Sequence, residues 1–325
     1  MIDPLPVVAP RIVHNQKLAE KFGLGPEYPP ATKQLEAIPF NRRALKPFGY
    51  NPSIVRFGDK ILLAYRYHEQ DWHTKLAIAE LNQKFEVVRH KEISLPGSAS
   101  QEDPHLFVHK NVLCMAWVES ASLGRSIVKY GTLVESKEWA VTNTFQPKFG
   151  QNDGNAMEKN WVFNSVGDRI MVIYSSSPTL STFIVNGAAA ELPAEYGKPP
   201  HFPWGEPRGG TSFLPLENHR IRFWHSRLDN ENNPIPNNPT RRYYIGCTLY
   251  DAEMKALRHC SRPLVFGSEA SDLTDTEIKS CRHHKPNVVF VSGAITMADG
   301  SFVLSVGAND AQCCLLRVMK EGLKL

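Results

Sequence analysis

Five times along this chain a short run rich in β-branched and aromatic residues is followed by a turn and a second such run. The pairs are Ser53–Phe57 with Ile61–Tyr65, Leu106–Val108 with Val112–Val118, Trp161–Asn164 with Arg169–Tyr174, Thr211–Leu214 with Arg220–Trp224, and Asn287–Val291 with Ser301–Val306. Four of the turns carry Gly58-Asp59, Gly167-Asp168, Glu217-Asn218 and Asp299-Gly300. Such residues tolerate the left-handed backbone that a tight hairpin needs. The hairpins begin roughly 50 to 75 residues apart, a spacing at which repeat architectures have to be considered. Further strand-like runs follow them, such as Lys75–Leu81, Ser126–Leu133, Arg242–Tyr250 and Cys313–Met319. Three to four strands per repeat, five times over, predicts an all-β fold, a five-bladed β-propeller. A β-sandwich with irregular hairpins is the alternative.

Residues 1–48 read differently. Gln16–Phe22 suits a short helix, and Gly23–Thr32 holds three prolines and two glycines. This stretch is expected to be an N-terminal arm, packed outside a catalytic domain of residues 49–325 or used between subunits in a homo-oligomer.

Composition narrows the class. Hydrophobic residues make up 42% and charged residues 22% of 325 residues, close to the soluble globular average, which argues against disorder. The longest apolar runs, near Val288–Val291 and Phe302–Val306, fall far short of the roughly 20 residues of a membrane helix. The net charge of +4 is spread along the chain rather than gathered in a stripe, so neither nucleic acid nor membrane is an expected partner. Met1-Ile2-Asp3-Pro4 has no basic segment leading into an apolar one, the pattern of a secretory signal. The six cysteines (Cys114, Cys247, Cys260, Cys281, Cys313 and Cys314) form no C-x-x-C pair and no zinc spacing. They are expected to be reduced, which suits the cytoplasm.

The functional signal lies at the strand ends. Each first strand is preceded by a polar cluster, in order Tyr50-Asn51-Pro52, Glu102-Asp103-Pro104, Glu158-Lys159-Asn160, Arg208-Gly209-Gly210 and His284-Lys285-Pro286. Each second strand ends at Arg66, Glu119, Ser175, His225 or Asp310. In an antiparallel hairpin these two sets share one end. If the first strand of each blade is innermost, they converge on the axis. Singly, each has an ordinary reading as a solvated strand end or a surface ion pair; five at equivalent places suggest a pocket of ionisable groups. The expected cations are Arg66, Lys159, Arg208 and Lys285, with His225 as a fifth. The expected carboxylates are Glu102, Asp103, Glu158 and Asp310, with Glu119 less certain. No metal or nucleotide-fold motif is present, so no metal and no cofactor is expected. Tyr50, Tyr65, Trp117, Trp161, Trp224 and Tyr244 lie close by in sequence. Carboxylates with aromatic faces suit a sugar, and clustered Arg and Lys suit a phosphate or carboxylate.

These residues resemble a known family. Glu102-Asp103-Pro104-His105 is similar to the Glu-Asp-Pro-Arg motif of glycoside hydrolase family 130, the β-mannoside phosphorylases and their hydrolase relatives. Pro286–Gly293 resembles its P-N-V-V-F-P-x-G strand, Gly307-Ala308-Asn309-Asp310 its Gly-Ala-x-Asp ending, and Trp224-His225-Ser226 its Tyr-His-Gly. Arg66 corresponds to its first-blade Arg, and the matches run in order over about residues 49–320. The resemblance implies a five-bladed propeller and inverting chemistry on β-mannoside-like sugars in an axial pocket. It implies Asp103 as proton donor to the glycosidic oxygen, acting through a sugar hydroxyl, and Asp310 as a holder of the cleaved sugar. It also implies phosphate binding by His225 and the Arg/Lys set. Arg66, Glu102, His105, Lys159, Asn160, Arg208, His225, Tyr244, Lys285 and Asp310 are the expected substrate-binding residues. The sequence departs from the pattern in three places. His105 replaces an Arg, Asn160 replaces an Asp, and Ser175-Ser176 stands where phosphorylases carry a phosphate-binding Arg. Related β-1,2-mannosyltransferases use a nucleotide sugar, which the same cations would suit. The expected activity is therefore glycoside phosphorylase or glycosyltransferase, with inorganic phosphate or a nucleotide sugar as second substrate. An inverting hydrolase and a non-catalytic sugar-binding propeller are the alternatives.

Overall fold

The computed structural model describes residues 35–70, 73–97, 100–122, 125–147, 158–176, 179–185, 189–190, 194–195, 202, 204–228, 242–260, 263–266 and 273–323. The expected helix Gln16–Phe22 and the segment Gly23–Thr32 lie outside these residues. The described chain is predominantly strand, with one short α-helix at Asp275–Ser280 and 3-10 turns at Arg42–Ala44 and Lys320–Gly322. That helix is capped by Thr274, whose hydroxyl accepts from the Glu277 amide while the Glu277 side chain reaches back.

All five hairpins form as antiparallel pairs. Phe57 faces Lys60, His109 faces Val112, Val166 faces Arg169, Leu216 faces His219, and Thr296 faces Phe302. The turn with the weakest sequence signal, Lys110-Asn111, places both residues at positive φ (49° and 59°), the backbone that a two-residue hairpin requires.

The strands group in sequence order. Tyr50–Phe57, Lys60–Gln70, His73–Leu81 and Val87–Ser94 make one antiparallel set. Ser100–His109, Val112–Ser122, Arg125–Glu135 and Trp139–Phe145 make a second. The two belong to one eight-stranded sheet, joined by a short parallel pairing of Ile93 with Trp139 and Ser94 with Ala140. A third set is built on Val162–Val166, Arg169–Ser176 and Thr179–Val185, and a fourth on His219–Leu228 and Arg242–Tyr250. A fifth contains Val289–Thr296, Phe302–Ala308 and Gln312–Val318, and its outer edge is completed by Leu35–Ala37 from the opposite end of the chain.

Apolar clusters lie between consecutive sets. Leu62, Ile78, Leu106 and Trp117 join the first and second, and Phe107, Val118, Phe163 and Val172 the second and third. Met171 and Ile173 meet Phe213, and Phe223 and Trp224 share a cluster with Val289 and Phe302. Ile295, Val303 and Leu315 of the fifth set pack back on Ile54 and Ile61 of the first. Second strands such as Ile61–Tyr65 are apolar in succession because both of their faces are covered.

At the entrance of every set one residue takes a left-handed backbone. These are Asn51, Asp103, Asn160, Gly209 and Asn287, with φ between 47° and 63°. Asn, Asp and Gly adopt this conformation at least cost. The ladder register shifts beside them, between Tyr50 and Ser53 and between Glu102 and His105. Such bulges re-aim side chains. The proline after Asp103 suggests an extended Asp103, but its φ is +48°. The bulge, rather than Pro104, sets the direction of its carboxyl.

Candidate active site

The five entrances surround a cavity of about 850 Å³. Nine of the eleven sequence-predicted site residues line it: Arg66, Glu102, Asp103, Lys159, Asn160, Arg208, His225, Lys285 and Asp310. They come from all five strand sets.

His105 and Tyr244 do not line this cavity. His105 is two residues past Asp103, inside the strand, where its ring is buried. Its Nδ1 lies 2.8 Å from the Ser292 carbonyl and its Nε2 3.1 Å from that of Phe163. Burial holds its pKa below the usual histidine value. Ser292 in turn donates to the carbonyls of Pro52 and Pro104, so His105 ties inner strands together. Tyr244 is fully buried and meets Trp204 edge-on at 5.3 Å. Strand alternation turns its neighbour Tyr243 to the cavity instead. Of the six aromatic candidates only Tyr50 faces the cavity; Tyr65, Trp117, Trp161 and Trp224 are core residues. Glu158 also turns away, accepting from Trp161 Nε1 and Tyr174 Oη, both at 3.1 Å. Glu119 pairs with Lys129, and Ser175 is not among the lining residues.

Glu102 and Asp103 form the acidic centre. Arg66 Nη1 lies 2.9 Å from Glu102 Oε2 and 3.2 Å from Asp103 Oδ1. Lys159 Nζ reaches Glu102 Oε2 at 3.4 Å, and Ser120 donates to Oε1 at 3.0 Å. Burial alone would raise the Glu102 pKa, but Arg66, Lys159 and Ser120 together hold it below the usual range. Asp103 moves the other way. Burial raises its pKa; Arg66 opposes this, and the neighbouring Glu102 charge adds to it. Of the two carboxyl groups, Asp103 is therefore the one that holds a proton more readily and Glu102 the one that ionises first. Asp103 Oδ1 accepts from Asn51 Nδ2 at 2.8 Å and is ion-paired with Arg66, which leaves Oδ2 as the oxygen available to a proton.

The rest of the wall is cationic. Besides Arg66, it holds Lys159, Arg208, Arg227, Arg282 and Lys285, against three carboxyl groups among the described residues, those of Glu102, Asp103 and Asp310. Lys285 Nζ donates to Asp310 Oδ2 at 2.8 Å. His225, expected as a fifth cation, is neutral. Burial, with Arg208 and Arg222 nearby, pushes its pKa down to about 3. Its ring packs on Phe290 at 4.6 Å and Tyr243 at 6.1 Å, making an aromatic shelf near Arg208. His68, lowered to about 4 chiefly by burial, bonds Tyr50 Oη at 2.8 Å and stacks on His283.

Sequence reasoning missed His68, Arg227, Tyr243, Arg282 and His283. His68 and Arg227 lie two residues beyond Arg66 and His225, so the two-residue strand period was the signal that would have found them. Arg282 and His283 belong to the basic run Arg282–Lys285, of which only the end was used. Among the described residues no group of three or more His, Cys, Asp or Glu side chains is placed to hold a metal ion. No helix among them is long and apolar enough to cross a membrane, and the six cysteines are buried and not bridged by disulfides.

No sequence-family model and no curated protein matches the chain. Solved structures do resemble it. One comes from the GH130 family of mannoside phosphorylases, a family reported to contain glycoside hydrolases that target β-1,2 mannosidic linkages in Candida mannan. It is 13% identical, with 85% of each chain covered and a TM-score of 0.62. A mannose phosphorylase from Leishmania mexicana in complex with a phosphate ion is 15% identical, with 85% of each chain covered and a TM-score of 0.54. A GDP-Man-dependent mannosyltransferase from the same organism is 13% identical, covering 95% of this chain and 94% of its own, with a TM-score of 0.57. At these identities the likeness is one of fold.

Proposed function

We propose that this chain, which has the GH130-like fold, is an inverting enzyme of glycosyl transfer on β-mannoside-like sugars. It works as a phosphorylase or as a transferase, with a phosphoryl-bearing second substrate. The observation that carries this reading is the cavity itself, which holds a polarised carboxyl pair together with a surplus of cationic side chains. We also read the five strand sets as five blades, closed by Leu35–Ala37 against the last strand, so that the cavity is the axial mouth of a propeller.

In this mechanism Asp103 supplies the proton to the departing glycosidic oxygen, relayed through a sugar hydroxyl. Glu102, kept ionised by Arg66 and Lys159, preserves that proton by repelling a second negative charge. Asn51 and Arg66 hold Oδ1, which fixes the orientation of the acid. Asp310 and Asn160 bind the sugar. Arg208, Lys285 and neutral His225 bind phosphate oxygens by charge-assisted and neutral hydrogen bonds. In phosphorolysis a phosphate oxygen bonds the anomeric carbon from the face opposite the leaving oxygen, the glycosidic C–O bond breaks, and the Asp103 proton ends on the leaving oxygen. An inverting hydrolase is less well served. Its two carboxyl groups stand roughly 6.5–9.5 Å apart to admit water, whereas Glu102 and Asp103 touch the same guanidinium nitrogen.

The test is product analysis in three incubations: a β-mannoside alone, a β-mannoside with phosphate, and GDP-mannose with a mannoside acceptor. The reading expects mannose 1-phosphate in the second or a lengthened mannoside in the third. Free mannose at equal rates with and without phosphate would make the protein a hydrolase, and no turnover in any incubation would favour a binding propeller.

A further inference from the structure

Outside the cavity, the fourth strand set holds a buried cation with no counter-charge. Arg222, in strand His219–Leu228, is 0% exposed. Its Nη2 donates to Ser176 Oγ of the third set at 2.5 Å, while Nε and Nη1 have no acceptor. No carboxylate pairs with it among the described residues. A guanidinium cannot shed its proton to escape this, because it stays charged far above neutral pH. Burying such a charge unpaired is among the most costly arrangements in a protein interior.

A second unsatisfied donor stands in the same row. Arg222 faces Thr248 on the next strand, and Thr248 faces His259 on the one after, so the three side chains share a face of the sheet. Trp224 Nε1–H, which can only donate, gives its hydrogen to Thr248 Oγ1 at 2.7 Å. The Thr248 hydroxyl therefore directs its own hydrogen to His259 Nδ1 at 2.5 Å. That selects the tautomer with hydrogen on Nε2, and this atom also has no partner. Burial, with the Arg222 charge nearby, keeps His259 neutral.

Arg222 is not among the lining residues of the central cavity or of the two smaller described cavities, so its charge stands apart from the candidate active site. Water would supply an acceptor but no charge. We propose that Arg222, with the Nε2–H of His259, binds a small inorganic monoanion, chloride in ordinary media, as a structural ligand that locks the fourth strand set onto Ser176 of the third. This site is separate from the cavity and does not depend on the catalytic reading.

The test uses the full chain. Thermal unfolding is followed while chloride replaces gluconate at constant ionic strength, for wild type, Arg222→Met and His259→Phe. The expected result for wild type is a Tm that climbs by about 2–4 °C for each tenfold rise in chloride once the site fills. Arg222→Met should abolish this dependence, and His259→Phe should weaken it. An equal wild-type Tm in chloride and gluconate would overturn the proposal, as would an unchanged chloride dependence in Arg222→Met. If Arg222→Met does not fold, wild-type crystals grown in bromide decide the matter. An anomalous peak within contact of Arg222 Nε or Nη1 supports the site, and peaks confined to the central cavity, or none, refute it.

Discussion

Asp103 and Glu102 are adjacent carboxyl groups on the same arginine, yet their surroundings separate them. Glu102 has Lys159 and Ser120 as further partners; Asp103 has burial and a charged neighbour. Asp103→Asn keeps the shape and removes the proton, so turnover of a confirmed substrate should fall about 10²–10⁴-fold with folding intact. Glu102→Gln tests the electrostatics. It removes the negative charge that raises Asp103 and leaves Arg66 to act on Asp103 alone, so the acid should ionise at lower pH. The high-pH limb of the rate profile, where activity is lost as Asp103 deprotonates, should move down in pH. An unmoved limb would mean that another group is the acid. Asp103 was legible because its motif and its place at a strand entrance agree. His105 and Tyr244 were misread because neighbours on a strand point to opposite sides, and a residue's distance from the bulge decides which side it takes.

At the scale of the elements, the five entrances share one backbone device, a left-handed residue drawn from Asn, Asp or Gly. This was visible in the sequence as a recurring residue type, but its meaning was not, since the same residues also mark ordinary turns. Asn287→Val should destabilise the fold by about 1–2 kcal/mol, because a β-branched side chain resists φ of +63°. Asn287→Gly should retain more stability, as denaturant titration of the two variants would show. The short strand Leu35–Ala37 had no sequence signal of its own. It exists because the last sheet offers an edge at Leu316–Val318, and an unpaired edge is a liability. The amide of Ile38, just beyond it, donates to the Leu315 carbonyl at 3.0 Å. Ile38→Pro should remove that bond at a cost of about 1 kcal/mol. The expected reading is a Tm lower by about 1–2 °C, and an unchanged Tm would mean that this edge contributes little to closure.

For the molecule as a whole, the repeated hairpins made the all-β fold legible, because a two-residue period and tight turns are local properties. The ring of apolar clusters was not legible, since no local pattern says which sheet packs on which. The same holds for the cavity's charge. Four of its cations were read from strand ends, while Arg227 and Arg282, marked only by the strand period and by a basic run, were placed in the cavity by the fold. Together these residues make the central claim, that the cations of the cavity receive a phosphoryl group. Titration calorimetry of inorganic phosphate and of GDP, at fixed ionic strength, against wild type and Arg208→Gln tests it most directly. The account predicts one-to-one binding of at least one of the two ligands, weakened about tenfold or more in the variant, as expected for loss of a charge-assisted contact of about 1.5–3 kcal/mol. Binding of neither ligand, or equal binding by both proteins, would contradict it.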